Sequence, residues 1–202
     1  MASGFNINTF KSKGLIFGGA RPSLFEVFLT VPDAIGVTPG SEDRLRFLCR
    51  AAQLPAATIE SINIPYFGRN IKIAGDRTFG DWTIQVMNDE DFKVRAMFEK
   101  WSNALNRFES NVRQANLVEE NTLAGYKCNI DVVQYGKNGD VIRTCEIVGA
   151  FPTTVDAIGL NWSDANAVEE FSVTFAYDYW LPKEGTEQNN EFARLARDPV
   201  SI

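Results

Sequence analysis

The segment Asn63–Glu90 constrains the fold of this 202-residue chain more than any other. Alternating apolar residues predict a strand over Thr58–Ile64 and a second over Arg69–Ala74, with a glycine turn between them. Gly75 and Asp76 predict a further turn, and the residues after them predict a third strand and the start of a helix. Strands that lie so close along the chain pair locally, so the sequence predicts a mainly β protein.

The same alternation recurs elsewhere in the chain. Three further strands are predicted, each with apolar residues on one face. In Leu24–Thr30 these residues are Phe25, Val27 and Leu29, and in Arg44–Arg50 they are Leu45, Phe47 and Cys49. In the strand after Asp76 they are Trp82, Ile84 and Val86. The segment Asp33–Asp43 contains glycine and proline and predicts a loop. Arg44, Arg46 and Arg50 form the other face of their strand without interleaved aromatic residues, so we expect a solvated or subunit-contacting face and not a nucleic-acid groove.

One segment has helical periodicity. Its apolar residues recur at helical spacing, which predicts a single amphipathic helix. These residues are Val94, Met97, Phe98, Trp101, Leu105 and Phe108. Asn88 and Asp89 are expected to cap its start, and the acidic residues Glu90 and Asp91 suit the positive end of the helix dipole.

A β-hairpin is predicted over Tyr126–Ala150, because Asn138-Gly139 favours a two-residue turn. This register places Ile130 opposite Ile147 on the core face and Asp131 opposite Glu146 on the other face. Two interpretations of the facing carboxylates remain open, a well-hydrated surface and a wall that repels an anion.

The end of the chain predicts a final hairpin, formed by Ile158–Trp162 and Val168–Trp180, followed by a polar tail from Leu181. The three cysteines are Cys49, Cys128 and Cys145. The predicted hairpin register places the last two about 13 Å apart along the strands, so free thiols are expected.

About eight short strands and one helix predict a β-sandwich or barrel with one flanking α-helix. Such a sheet leaves unpaired edges that recruit other chains unless they are blocked. A structural protein can use this tendency, since strands joined between subunits close a continuous ring-shaped barrel.

Several classes of function are disfavoured by composition. The chain contains no histidine, which removes the commonest general base and imidazole metal ligands. No phosphate-binding loop, Cys-x-x-Cys motif or dinucleotide fingerprint is present, so we expect no enzyme activity, cofactor or metal. The net charge of −6 opposes stable binding of nucleic acid. The chain lacks a secretion signal and a long apolar run, so synthesis in a cytoplasm without stable membrane insertion is expected.

Several motifs resemble the tail tube proteins of T-even-type contractile-tailed bacteriophages, and their order and spacing agree over residues 20–180. The motifs are Ala20–Phe25 (ARPSLF), Phe47–Pro55 (FLCRAAQLP), Ile64–Glu90 with Gly68-Arg69, Ala74–Phe79 and Met87–Glu90, Phe151–Trp162, and Phe171–Trp180, which ends in YDYW. The resemblance implies a tail tube domain over 20–180, with an N-terminal extension over 1–19 and a C-terminal extension over 181–202.

The resemblance also implies a function. Proteins of this family form hexameric rings that stack into the hollow inner tube of the virion tail, assembled in the host bacterial cytoplasm. The tube contains a tape-measure protein, is surrounded by a sheath, joins a baseplate and a tail terminator, and conducts genomic DNA through the host envelope. Six subunits contribute strands to the barrel that lines an acidic lumen, so Asp131 and Glu146 are expected to face the lumen.

Candidate subunit contacts are the exposed charged residues Arg69, Asp76, Arg77 and Asp81 near the glycine turns, and Arg44 and Arg46 on the arginine face. Ordinary turn chemistry explains the first four equally well. Other functions remain open: an inner tube or tube-initiator protein of a related contractile injection device, or a monomeric β-barrel binding module.

Overall fold

The computed structural model describes residues 7–13, 15, 18–117 and 125–183. The helices are α1 (Ile7–Lys13), α2 (Ser41–Leu48) and α3 (Lys93–Leu105), with short 3-10 turns at Asp33–Ile35 and Ala115–Leu117. The strands are β1 (Phe25–Leu29), β2 (Cys49–Ala52), β3 (Thr58–Tyr66), β4 (Arg69–Thr78), β5 (Trp82–Met87), β6 (Cys128–Tyr135), β7 (Val141–Val155), β8 (Glu170–Ala176) and β9 (Tyr179–Lys183). The mainly β prediction is confirmed.

The long strand β7 belongs to two layers. Its first part pairs with β6 on one edge and β9 on the other, while Phe151–Val155 pairs with β8. The first layer therefore has the order β1-β6-β7-β9, and the second has the order β7-β8-β5-β2. Gly149 lies at the junction with a φ of +71°, a backbone conformation that favours glycine.

One hydrophobic core fills the space between the layers and α3. Val27, Ile130 and Ile147 enter it from the first layer, and Ile84 and Phe175 enter it from the second. The rings of Phe98 and Trp101 on α3 lie edge-on to Phe175 at 5.9 and 6.4 Å between centroids. The predicted flanking helix is thus confirmed, and its apolar stripe is the face that packs on the sheet.

Both ends of α3 differ from the prediction. The residue that precedes the helix is Phe92, in a left-handed conformation, because the chain first turns with a hydrogen bond from the Phe92 N–H to the Asp89 carbonyl. Asn88 and Asp89 are therefore not the caps, and the Asp91 carboxylate accepts the Lys93 N–H at 3.2 Å. The helix ends at Leu105, and Phe108 lies beyond it in solvent.

The predicted strand Arg44–Arg50 is wrong, because α2 occupies most of it. Ser41 and Leu45 are buried at helical spacing and Leu48 is half-buried, whereas Phe47 is exposed. An alternating pattern over so few residues matches a helix and a strand equally well, and tertiary packing selected the helix. The predicted loop Asp33–Asp43 accordingly contains a 3-10 turn and the first turn of α2.

Gly75 is not a turn residue, because β4 continues to Thr78. The register with β3 shifts between Ile59 and Ser61, opposite this glycine. A Cβ on Gly75 would lie 3.0 Å from the Glu60 carbonyl oxygen, so the residue permits close backbone approach at a bulge.

The predicted final hairpin is also wrong. No strand forms over Ile158–Trp162, and 156–169 is an irregular connection from β7 to β8. Strand pairing breaks after Ala176, and β9 then pairs with β7 through Lys183. The predicted polar tail thus begins with a strand, and its residues 184–202 lie outside the described part of the chain.

The predicted register is confirmed in the middle of the hairpin between β6 and β7, but the predicted two-residue turn is wrong. Ile130 pairs with Ile147, and Asp131 pairs with Glu146. The register shifts between Gln134 and Tyr135, and the Gly136 N–H donates to the Asp140 carbonyl, so the turn contains residues 137–139. The three cysteines are free and buried, as expected.

Candidate functional site

The outward face of the first layer carries the facing carboxylates of Asp131 and Glu146, with a cation between them. The ammonium nitrogen of Lys183 on β9 lies 2.9 Å from Asp131 Oδ1 and 3.2 Å from Glu146 Oε1. In the pairing of β9 with β7, Lys183 lies opposite Thr144. Thr144 is two residues from Glu146 and therefore on the same face of the sheet, so Lys183 can reach both carboxylates. The Asn129 amide also donates to Glu146 Oε1 at 3.0 Å.

The environment of Lys183 favours its charged form. Desolvation alone lowers the pKa of Lys183, but the hydrogen bonds to Asp131 and Glu146, together with the charges of both carboxylates, outweigh it and raise the pKa above its ordinary value of 10.5. The ammonium therefore stays charged at physiological pH and offsets part of the repulsion between the facing acids.

A second charged cluster lies on the same face at the β1 side. Glu26 accepts hydrogen bonds from the Arg46 guanidinium of α2 and from the Tyr135 hydroxyl, each at 2.9 Å. The Arg46 guanidinium also lies 4.7 Å from the ring centroid of Phe28. Burial of Tyr135, followed by its hydrogen bond to Glu26, raises the pKa of that phenol.

Together the two clusters make the face only weakly acidic. Glu26, Asp131 and Glu146 supply three carboxylates, and Arg46 and Lys183 supply two cations. The sequence pattern predicted that Asp131 and Glu146 face each other, and the structure adds Lys183 of β9 beside both.

The hairpin of β3 and β4, called the arm below, projects from the second layer. Its strands pair only with each other among the described residues, and every residue of both strands is exposed except the half-buried Gly75. Large apolar side chains lie in solvent along it, namely Ile59, Ile62, Ile64, Tyr66, Phe67, Ile71 and Ile73. An isolated two-stranded hairpin is marginally stable in water, so an arm with this composition indicates an interaction surface.

The structure divides the candidate contact residues into two groups. Arg69, Asp76 and Arg77 lie on the arm and Asp81 at its base, all four exposed and without an ion pair in the described part of the chain.

Arg44 and Arg46 are different, because both already have partners within the chain. Arg44 pairs with Asp89 at 2.8 Å and also with Asp91, and these contacts connect α2 to the turn before α3. Arg46 pairs with Glu26.

The sheet has three edge strands within the described residues. β1 pairs only with β6, β9 only with β7, and β2 only with β5. Edge strands present unpaired N–H and C=O groups to any neighbouring chain. The first layer, which carries the charged face, ends on both sides in such a strand.

Other chemistry has little support in the described part of the chain. No group of three or more Cys, Asp or Glu residues there could hold a metal ion, and no helix there is long and apolar enough to cross a bilayer. Burial raises the pKa of the Cys49 and Cys128 thiols to about 12, so neither is a nucleophile near neutral pH. The surfaces described above are suited to association with other protein chains.

Sequence reasoning missed two features of these surfaces. Lys183 was assigned to the tail, although Tyr179, Leu181 and Lys183 continue the alternation of a strand. The arm was treated as part of the main sheet, although its isoleucines occupy both faces of β3, as Ile59 and Ile62 show. The exposure of these side chains, which the sequence does not show, indicates an interaction surface.

Comparison with known proteins identifies relatives across most of the chain. A family model described as phage tail tube protein matches residues 20–183. Tail tube protein gp19 of Enterobacteria phage T4 is 36% identical over 162 residues, which cover 80% of this chain and 90% of that protein. The tail tube protein of Serratia phage KSP90 is 26% identical over 140 residues, 68% of this chain and 76% of that protein.

Solved structures show the same fold at low identity. A chain of the anti-feeding prophage baseplate has a TM-score of 0.61 at 12% identity, covering 83% of this chain and 97% of that chain. A chain of the extended PVC sheath-tube complex, an extracellular contractile injection system, has a TM-score of 0.54 at 14% identity. The match covers 89% of this chain and 98% of that chain.

Replacement of Lys183 tests the charged cluster. Lys183→Gln leaves Asp131 and Glu146 facing each other without a cation, so the free energy of unfolding at pH 7 should fall by about 0.5 kcal/mol. Because folding raises the pKa of Lys183, the wild-type advantage should persist up to pH 10.5 and disappear as the pH rises through the higher folded-state value. Denaturant unfolding of dilute protein measures both.

Lys137→Gln is the matched control, since Lys137 is exposed in the turn between β6 and β7 without an ion pair in the described structure. Equal stabilities of the two variants at every pH would contradict the role given to Lys183.

Proposed function

This chain belongs to the phage tail tube protein family, and from that premise we propose that six copies close into a ring and that rings stack into the hollow inner tube of a contractile tail. The tube penetrates the host envelope and conducts genomic DNA during ejection. The observation that carries the proposal is the open first layer, which within the described residues ends in the edge strands β1 and β9.

Strand directions support closure through these two edges. Each neighbouring pair in the order β1-β6-β7-β9 is antiparallel, so β9 runs antiparallel to β1. When β9 of one copy lies beside β1 of the next, the alternation continues without a parallel mismatch, and a ring of copies forms one closed barrel. Closure removes the exposed edges that would otherwise recruit unrelated chains.

The charged face of the first layer then lines the bore. Asp131 and Glu146 face the lumen, and Lys183 is held by both carboxylates, which limits its contact with phosphates. Free basic side chains would neutralise phosphates, release counterions and retain the DNA. A weakly acidic wall, whose basic side chains are already paired with carboxylates, lets DNA slide. At physiological salt the repulsion between the wall and the DNA phosphates extends only about 8 Å.

The arm supplies contacts between subunits, and Arg69, Asp76, Arg77 and Asp81 contribute charged groups to them. The domain that assembles is residues 20–180, and the family match over 20–183 supports this assignment. The partners of the tube are sheath, tape-measure, baseplate and tail-terminator proteins. Similar chains occur in a baseplate, a tube-terminating cap and a sheath-tube complex, which supports these partners.

A second candidate is the inner tube or tube initiator of a contractile injection device that carries protein cargo. The fold shared with chains of the anti-feeding prophage and the PVC system favours it. Sequence identity of 36% to the T4 tail tube protein favours the phage tube.

Replacement of arm isoleucines tests the assembly role. Ile62 and Ile73 pair across the arm and are 54% and 47% exposed, so Ile62→Thr with Ile73→Thr should leave the thermal midpoint of the monomer nearly unchanged. The same variant should fail to form tubes, because it removes the exposed apolar surface that we expect to contact other copies. Sedimentation and electron microscopy measure assembly.

The matched control is Ile147→Thr, which places a hydroxyl in the fully buried core and should lower stability by about 2 kcal/mol. Normal tubes from the arm variant would contradict the assembly role of the arm.

Charge reversal tests the lumen. Phage particles that carry Asp131→Lys with Glu146→Lys should eject DNA more slowly than wild type, since free ammonium groups bind phosphates. The ejection rate of the neutral variant, Asp131→Asn with Glu146→Gln, should lie between the rates of the wild type and of the lysine variant. Asp140→Lys, in the exposed turn between β6 and β7, serves as the control. Dye-detected ejection at equal rates for all variants would exclude a lumen position for the two acids.

A further inference from the structure

Two apolar surfaces lie at opposite ends of the second layer. In the pair of β5 and β8, Trp82 lies opposite Phe175 at one end, and Met87 lies opposite Glu170 at the other. The arm enters β5 at the Trp82 end. The connection 156–169, called the β7–β8 loop below, enters β8 at the Glu170 end.

The β7–β8 loop presents large apolar side chains to solvent. Leu160 is 81% exposed, Val168 is 65% exposed, and Trp162 is fully exposed. The loop has local structure, because the Asn161 side chain accepts the Ser163 N–H at 3.1 Å and the Asn161 carbonyl accepts the Asp164 N–H at 3.2 Å. Trp162 lies within this turn, and its ring is in solvent.

The arm ends in a matching aromatic tip. Tyr66 and Phe67 lie edge to face at 4.6 Å between ring centroids, and Phe67 is 91% exposed. Phe67 has a φ of +43°, so the tight turn directs a large apolar side chain outward from the end of the hairpin.

The charges at the two ends are complementary. Residues 61–75 of the arm contain Arg69 and Lys72 and no acidic residue, whereas residues 156–170 contain four acidic residues and no basic one. Asp156 and Asp164 form no ion pair in the described structure.

Basic groups near this loop already have partners. Arg50 pairs with Glu170, and Arg95 pairs with Glu99 while donating to the Asp156 carbonyl. The free charge of the loop is therefore negative, and that of the arm tip is positive.

We propose that the arm tip of one copy docks on the β7–β8 loop of a copy in the adjacent ring, an assignment that rests on the stacked rings proposed above. Tyr66 and Phe67 pack against Trp162 and Leu160, while Arg69 and Lys72 lie near the acidic residues of the loop. Because the arm and the β7–β8 loop are different surfaces that join opposite ends of the β5–β8 pair, the contact is head-to-tail and does not close on itself. It extends the stack in one direction, and each ring junction contains six copies of it.

Cysteine trapping tests this contact in the assembled full-length protein. Phe67→Cys and Trp162→Cys are prepared separately, mixed, assembled and oxidised. Because the native cysteines are buried, a disulfide-linked dimer should form only in the mixture. Phe67→Cys mixed with Phe108→Cys is the matched control. Phe108 is 76% exposed but follows the C-terminal end of α3, whereas the β7–β8 loop lies beside the segment that precedes the helix, where the Asn88 N–H donates to the Glu169 carbonyl. A dimer with Phe108→Cys and none with Trp162→Cys would overturn the assignment.

A charge exchange separates stacking from ring closure. Lys72→Glu and Asp164→Lys should each reduce mean tube length at physiological salt about tenfold while six-fold rings persist, and the double variant should restore length. Tubes of wild-type length from both single variants would refute the docking contact and leave the ring proposal intact. Wild-type protein that forms neither rings nor tubes would refute the proposed function itself, and the docking contact with it.

Discussion

Unpaired backbone groups on the edge strands are the constraint on which the rest of the structure depends. A sheet satisfies its internal N–H and C=O groups through neighbouring strands, but β1 and β9 each have a strand neighbour on one side only within the described residues. A monomeric protein usually blocks such edges. This chain keeps two edges of opposite direction in one layer, and antiparallel order permits them to join. In the proposed ring, the backbone hydrogen bonding of these edges is completed by further copies.

The distribution of apolar surface agrees with that view. The core of the monomer is filled by both layers and α3, and Phe98 and Trp101 have no exposed surface. The arm contributes nothing to that core, yet it carries a row of exposed isoleucines and an aromatic tip. In the proposed tube, the stability of the subunit and the affinity between subunits therefore depend on different residues, so a substitution in the arm is expected to change assembly without unfolding the chain. The charges proposed to line the lumen belong to a third set of residues, since Lys183 and the facing acids lie on the outward face of the first layer.

Local patterns in the sequence predicted the elements whose constraints are local. The 3.6-residue stripe from Val94 to Trp101 identified α3, and the Asn138-Gly139 signal located a hairpin in which Asp131 lies opposite Glu146. The predictions failed where tertiary contacts decide. The residues of α2 match a short strand equally well, and the helix is selected because Leu45 and Leu48 pack on the core. The position of Lys183 beside the acids depends on the pairing of β9 with β7, a strand that is distant in sequence. Separation of the arm from the main sheet leaves no local signature either.

High-resolution electron microscopy of the assembled tube tests the central claim most directly. Closure through the edges predicts that β9 of each subunit pairs antiparallel with β1 of its neighbour, with N–H to O distances of about 2.9 Å between heavy atoms and with Asp131 and Glu146 facing the bore. A ring joined through other surfaces, in which β1 and β9 do not pair with each other and these acids lie on the outside, would contradict it.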